Sequence, residues 1–260
     1  MRNWLYGCIV AFQFLTKIPV PLKVPYQVET VSRSLPFYPL VGIIIGAIAY
    51  AAASLLPAGM APLNALLLLL LWTFLSGGLH FDGWMDTADA FGSYRDREKM
   101  LEIMKDSRVG AMGVIYAVFL LLLKWISLWT VMEHWAVNPD FNRMVMYLLL
   151  SIPAVSRWWM VAAVIQGPYI GGPSGLGRQF AEVRNVWLAG ASIWLLLILF
   201  LLPSSVWLAV FVGQLIAGWL FGRYIKGKLK GWTGDTYGAL NEAVEAVGFI
   251  ISAYTAVLGG

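Results

Sequence analysis

A single cysteine, Cys8, and two histidines, His80 and His134, are all that this chain of 260 residues offers for sulfur or imidazole chemistry. One cysteine excludes an internal disulfide and a thiolate zinc site, so metal binding falls to oxygen ligands or those two imidazoles. Charge is scarce too: Asp, Glu, Lys and Arg make up 12% of the residues and hydrophobic residues 60%, whereas a soluble domain has about 25% charged residues. A water-facing shell cannot be built from that stock. The chain also lacks a P-loop ending and any repeat with a period of about 20–50 residues. The surplus of 18 basic over 14 acidic side chains is to be read loop by loop in a membrane protein, and no nucleic-acid partner is expected from it.

Long apolar runs are what the chain does have. Roughly 20 apolar residues cross about 30 Å of hydrocarbon, and runs of that kind lie near 38–56, 62–79, 109–131, 143–165, 186–202, 205–222 and 243–258. The expected fold class is therefore all-α, a polytopic transmembrane helical bundle of about seven spans, with residues 1–260 as a single integral membrane domain. The sixth span follows the fifth through Pro203-Ser204-Ser205, a tight hairpin because proline cannot continue a helix. No cleavable signal is expected, since the apolar stretch Trp4 to Leu15 is short and no small-residue cleavage site precedes Thr16-Lys17-Ile18-Pro19.

All basic residues except Lys124, Arg143 and Arg157 fall on one side of these spans. The positive-inside rule puts that side, with the N-terminus and the loops 80–108, 166–185 and 223–242, in the cytoplasm of a cell inner membrane. Every acidic residue but Glu133 and Asp140 lies there as well. Acidic residues scarcely influence topology, so their concentration calls for another cause, and catalytic loops on that face supply one.

The stretch Gly77-Gly78-Leu79-His80-Phe81-Asp82-Gly83-Trp84-Met85-Asp86-Thr87-Ala88-Asp89 is the most informative. On a helix Asp82, Asp86 and Asp89 share an arc of roughly 60°. Three like charges on one face repel, yet oxygen ligands so placed suit Mg²⁺ carrying a diphosphate. A solvated helix start would tolerate the same acids. His80 stands about 160° from Asp82 and is not a metal ligand on this reading. Gly77-Gly78 can break the helix before it, which leaves His80 a role at the interface as hydrogen-bond donor or proton shuttle.

A second acidic stripe joins Asp235, Gly238, Glu242 and Glu245 within roughly 80° of one helix face. Glu242 and Glu245 adjoin Ala246-Val247-Gly248-Phe249, where the chain enters lipid, so an uncompensated charge there would be costly. Both stripes are expected to meet at one site. Arg108, in Lys105-Asp106-Ser107-Arg108-Val109-Gly110-Ala111-Met112-Gly113, could grip a phosphate, and Gly110 and Gly113 admit a backbone or ligand closely; helix capping and packing would explain the same residues. Arg178 ends a five-glycine loop from Gly167 that reads as a linker or as a flap over a nucleotide. Arg157 and Lys124, inside spans, need partners that the sequence does not name.

At these residues the chain resembles the cobalamin synthase family, the adenosylcobinamide-GDP ribazoletransferases of the last step of vitamin B12 assembly. The resemblance runs from Phe14-Leu15-Thr16-Lys17-Ile18-Pro19-Val20-Pro21 through Phe37-Tyr38-Pro39-Leu40-Val41-Gly42 to Thr233-Gly234-Asp235, with most weight on Gly77 to Asp89 and Ile103 to Ala111. Phe81 and Trp84 stand where leucine is usual and Ala90 where glycine is common, but no carboxylate is lost. The resemblance implies a Mg²⁺-dependent membrane enzyme that joins adenosylcobinamide-GDP to α-ribazole or its 5′-phosphate and releases GMP. It implies metal on Asp82, Asp86 and Asp89, catalytic parts for these three with Asp106, Asp235 and Glu242, and substrate contacts from His80, Arg108, Arg178, Thr233, Gly234 and Glu245. Membrane lipid is the other expected partner, and a homo-oligomer stays open.

Alternatives remain on the residues alone. A CDP-alcohol phosphotransferase would show Asp-Gly-x-x-Ala-Arg and a polyprenyl-diphosphate enzyme adjacent aspartates, and neither occurs. A transporter would gather ionisable groups near the bilayer midplane, where only Arg157 and Lys124 lie.

Overall fold

The computed structural model describes residues 2–57, 59–137, 141–172, 185–201 and 205–259. Its helices are α1 (Arg2–Leu15), α2 (Val28–Ser32), α3 (Tyr38–Leu55), α4 (Ala61–Ser76), α5 (Leu79–Gly92), α6 (Arg97–Ile103), α7 (Ala111–Val137), α8 (Phe141–Gln166), α9 (Asn185–Leu201), α10 (Ser205–Leu229) and α11 (Gly234–Gly259). A 3₁₀ turn, Leu35–Phe37, leads into α3. Extended pairing among the described residues is confined to one isolated parallel bridge, Tyr169 with Trp232. The all-α membrane bundle expected from the apolar runs is what forms.

Among the described residues, five helical segments are long and apolar enough to cross a bilayer: Val28–Leu55, Ala111–Trp135, Met144–Gln166, Leu208–Leu229 and Gly234–Leu258. Taken together as one bent span, α4 and α5 raise the number to six. The sequence-based expectation of about seven spans also counted α9 and α4 as full crossings. These have 17 and 16 residues, about 24–26 Å at 1.5 Å per residue, short of the hydrocarbon thickness unless the bilayer thins.

Packing follows from small residues. Lipid offers no hydrophobic drive between helices, so close van der Waals contact has to bind them. Gly42 and Gly46, one turn apart on α3, lie against the backbone of Pro153 and Leu149, where a Cβ would come within 2.3 and 1.9 Å of the carbonyl oxygens. This contact makes α3 and α8 the most extensive helix pair. The most enclosed of the spanning segments is in α8, whereas those in α7 and α10 turn most of their surface outward. Lys124, Arg157, Glu242 and Glu245 are all buried inside the bundle.

Candidate active site

Two glycine contacts place α5 on α11. Gly77 and Gly78, both left-handed with φ of 68° and 69°, a conformation that glycine alone adopts cheaply, turn α5 by 91° from α4. The helix break allowed by Gly77-Gly78 is thus present. Gly83 of α5 then lies against Asp235, where a Cβ would stand 2.5 Å from the Asp235 carbonyl oxygen, and Gly238 of α11 lies against His80 in the same way at 3.0 Å. Side chains at these two positions would push the helices apart. Their absence brings Asp82 and Asp235 to one cavity.

That cavity, about 290 Å³, is lined by the polar Asp82, Asp235, Thr233, Gly234 and Lys105 and by Phe14, Tyr38, Met104, Met160, Tyr169 and Tyr237, with His80 among its walls. Three connections hold the walls. Arg97 Nε donates to the Leu229 carbonyl at 2.6 Å, tying α6 to the end of α10. Ile170 N donates to Trp232 O at 2.8 Å and Trp232 N to Pro168 O at 2.9 Å, which fixes Tyr169 beside the α10–α11 turn. Thr233 and Thr236 exchange bonds at the start of α11, Thr233 N to Thr236 Oγ1 at 2.8 Å and Thr236 N to Thr233 Oγ1 at 3.2 Å. This reciprocal cap sets the first turn from which Asp235 projects.

Asp82, Asp86 and Asp89 share one face of α5 as their spacing requires, but their surroundings differ. Asp86 lies in the field of Asp82, Asp235 and Asp89 together, and among the described residues none of these four carboxylates has a Lys or Arg within ion-pair distance. Asp89 is compensated by backbone instead: Gly110 N donates to its Oδ2 and Gly113 N to its Oδ1, both at 2.7 Å. Asp89 therefore caps the N-terminus of α7, where the macrodipole favours an anion. A Cβ on Gly110 or Gly113 would sit 2.4 or 2.5 Å from that carboxylate, which is why glycine stands at both.

The second stripe divides, which corrects the expectation that all its acids meet the first. Asp235 joins Asp82 and Asp86, whereas Glu242 and Glu245 point into the bundle. Glu245 accepts from Arg157 Nη1 at 2.8 Å, Lys124 Nζ at 2.9 Å and Trp72 Nε1 at 3.0 Å, with Ser156 and Asn241 at 3.3 Å. Glu242 is paired with Lys124. Two cations and two anions form a neutral buried cluster, the arrangement in which charges persist inside a membrane. It accounts for Arg157 and Lys124, and it leaves the transporter reading without unpaired midplane charges. Neither Glu242 nor Glu245 lines the cavity, so the catalytic part expected of Glu242 and the substrate contact expected of Glu245 have no geometric support.

Asp106 and Arg108 also lie elsewhere. They grip each other, Arg108 Nη2 to Asp106 Oδ2 at 2.6 Å and Nε to Oδ1 at 3.0 Å, with Arg108 87% and Asp106 39% exposed. The Arg108 hydrogen bonds hold the Asp106 carboxyl below its usual range, at about 2. Arg178 lies outside the described residues. Sequence reasoning passed over Lys105, Tyr169 and Tyr237 as cavity residues. The signal available was an aromatic cluster around the α10–α11 turn, where Tyr237 stacks on Trp232 at 5.6 Å.

Among the described residues no three carboxylate or imidazole groups are closed around a common point. Mg²⁺ does not demand such a cage, since it is commonly held by one or two carboxylates with waters and substrate phosphates completing its shell. Asp82 and Asp86, one helical turn apart and without a basic counterion, are hard oxygen donors of the kind that fits. Asp89, with each oxygen already bonded to a backbone N–H, fits a positioning part better.

Comparison with known proteins agrees with the resemblance read from the motifs. The family profile described as cobalamin-5-phosphate synthase matches residues 7–253. A Pseudomonas putida (strain W619) protein named adenosylcobinamide-GDP ribazoletransferase is 40% identical over 242 residues, 91% of this chain and 93% of its own. Proteins of the same name from Brevibacillus brevis (strain 47) and Halalkalibacterium halodurans (strain C-125) are 36% and 38% identical, over 93% and 94% of this chain and 95% and 94% of their own. No solved structure matches.

Proposed function

This chain belongs to the cobalamin-5-phosphate synthase family, and from that premise we propose that it catalyses the reaction its relatives are named for. Adenosylcobinamide-GDP and ribazole, or ribazole 5′-phosphate, are joined to give adenosylcobalamin, or its 5′-phosphate, and GMP. The observation that carries this reading to particular residues is the meeting of Asp82, Asp86 and Asp235 where α5 crosses α11 beside the cavity.

The chemistry is a displacement at phosphorus. A ribazole hydroxyl oxygen bonds to the phosphorus next to the cobinamide arm, and the bond from that phosphorus to the bridging oxygen breaks, so GMP leaves with that oxygen. The hydroxyl proton passes to Asp235 Oδ, which faces the cavity from the first turn of α11. Asp82 and Asp86 hold Mg²⁺ from the α5 side, with Asp89 fixing their helix through α7. The bound ion supplies neutralisation of the diphosphate and of the charge on departing GMP. Lys105, exposed at the cavity mouth, attracts the phosphates, and the N-terminal amides of α11 at Gly234 add positive potential there.

Placement in the cell inner membrane with this site toward the cytoplasm is supported by the one-sided distribution of Lys and Arg. Purified protein in detergent, given adenosylcobinamide-GDP, α-ribazole and Mg²⁺, should release GMP and form a cobalamin. Folded protein that releases no GMP with either ribazole or its phosphate would overturn the proposal. Cysteines placed at Ser93 and Lys230 should react only from the cytoplasmic side, and labelling from outside intact cells would overturn the orientation.

A further inference from the structure

A second cleft, about 200 Å³, opens between α5, α7 and α10. Trp84, Thr87, Ala88 and Phe91 line it, on the side of α5 about 140–240° round from Asp82, and it shares no lining residue with the cavity beside the carboxylates. Aromatic contacts between the three helices build its walls. Trp84 stacks on Phe221 of α10 at 6.1 Å and donates Nε1 to the Tyr116 carbonyl of α7 at 3.2 Å, while Phe91 meets Tyr224 of α10 edge-on at 5.3 Å.

One cation stands at this cleft. Lys228, exposed in the last turn of α10, has its Nζ 5.9 Å from the centre of the Tyr224 ring, and no Asp or Glu lies within ion-pair distance of it among the described residues. From Met112, another lining residue, an apolar stripe runs on along α7: Tyr116, Phe119 and Leu123 follow at i+4, i+7 and i+11, all exposed. Eleven residues at 1.5 Å make the stripe about 16 Å long, the depth of one leaflet in a hydrocarbon core about 30 Å thick. Trp84, Tyr94, Tyr116 and Tyr224 are residues of the type that gathers at headgroup level. The cleft is also smaller than pockets that enclose a whole ligand, about 300–1,000 Å³, as suits a molecule seated only in part.

We propose that this cleft binds one anionic phospholipid of the adjoining leaflet, its phosphate at Lys228 and an acyl chain laid between α5, α7 and α10 and on along the α7 stripe. A cation joined to an apolar track of leaflet length matches an amphiphile with a negative head. A zwitterionic head would bring its own ammonium toward Lys228, whereas an anionic one brings net opposite charge. Seated there, the chain packs on Ala88 and Met112, next in sequence to Asp89 and Gly113, and so braces the junction of α5 with α7.

Native mass spectrometry of delipidated full-length protein in detergent tests this with dioleoyl phosphatidylglycerol and dioleoyl phosphatidylcholine, which share their chains. Wild-type protein should bind the first phosphatidylglycerol about fivefold more tightly than phosphatidylcholine, what one lysine at a bilayer surface supplies, and glycerol phosphate, the head without chains, should not displace it. Lys228→Gln should bind both lipids alike and Lys228→Arg should keep the preference. Arg223→Gln, exposed and about 140° round α10 from Lys228, should keep it too. Ala88→Leu, which fills the cleft, should weaken both lipids. Phosphatidylglycerol should also raise the Tm of wild-type protein more than phosphatidylcholine does, as a ligand of the folded state must. Equal binding of the two lipids by wild-type protein would overturn the proposal, and this arm needs no variant to fold. Equal losses in Lys228→Gln and Arg223→Gln would overturn it in favour of a diffuse basic surface, and displacement by glycerol phosphate in favour of a site for phosphate alone. A dimer that Ala88→Leu abolishes, with no lipid preference, would assign the cleft to a second copy of the chain instead.

Discussion

Gly110 donates its backbone N–H to Asp89 Oδ2 at 2.7 Å across 21 positions of chain, so an aspartate of the acidic stripe serves as the cap of the following transmembrane helix. With Gly113 on the other oxygen, α5 is locked to α7 through one side chain. Gly110→Ala would put a methyl 2.4 Å from Asp89 Oδ1. It should destabilise the protein by about 1–3 kcal/mol, as overpacking does. The Mg²⁺ concentration giving half-maximal rate should not change. Asp89→Asn, which keeps one acceptor oxygen, should lower kcat by about 10–100-fold, the range for residues that orient ligands. Thermal unfolding in detergent and a metal titration check both, and a shift of metal half-saturation in Asp89→Asn would return this residue to the metal shell.

The buried cluster leads to a different expectation. Glu245→Gln leaves Arg157 and Lys124 facing a single anion, and breaking a buried pair costs about 3–5 kcal/mol, which should appear as a large fall in Tm or in the yield of folded protein. Glu242→Gln should cost less, because Lys124 retains Glu245 at 2.9 Å. GMP release per folded molecule should survive in both. Asp86→Asn and Glu242→Gln should then combine multiplicatively in rate, since distant, independent sites add in free energy. Non-additive loss would place Glu242 in the catalytic unit after all.

Asp106 and Arg108 give a pH expectation. The Asp106 carboxyl is depressed to about 2 by Arg108, so the pair is intact above the ordinary carboxylate range and is lost as pH falls through about 2. A ¹³C titration of the Asp106 carboxyl should show that midpoint, and Arg108→Ala should raise it toward the ordinary value. Because the pair lies on the surface and does not line the cavity, Asp106→Asn should change turnover at neutral pH by no more than about fivefold, the scale of an exposed ion pair. A loss of two orders of magnitude would show that Asp106 acts in the reaction.

Much of this architecture was legible in the sequence. The apolar runs near 38–56 and 109–131 became α3 and α7, and Gly77-Gly78 marked the break before α5. The depth of the second stripe was not legible. Asp235 and Glu245 do share a face of α11, but ten residues at 1.5 Å each separate them by about 15 Å along the axis. One therefore reaches the cavity while the other lies among Arg157 and Lys124. A face can be read from periodicity in one helix, whereas the counterions at a given depth come from α7 and α8, distant in sequence. The part played by Asp89 was hidden for a similar reason. Its spacing matched that of a ligand, and only the approach of Gly110 and Gly113 shows that both oxygens are engaged.

Asp82 and Asp86 are proposed to hold Mg²⁺ beside the cavity where Asp235 receives the proton. GMP release per folded protein, measured against Mg²⁺ concentration for wild type and Asp86→Asn, tests it most directly. Asp86→Asn should need about tenfold more Mg²⁺ for half its maximal rate, as loss of about 1.4 kcal/mol of metal binding would require, and should remain about 10²–10³-fold slower at saturating metal. A curve superimposable on that of the wild-type protein, in both midpoint and plateau, would contradict the claim.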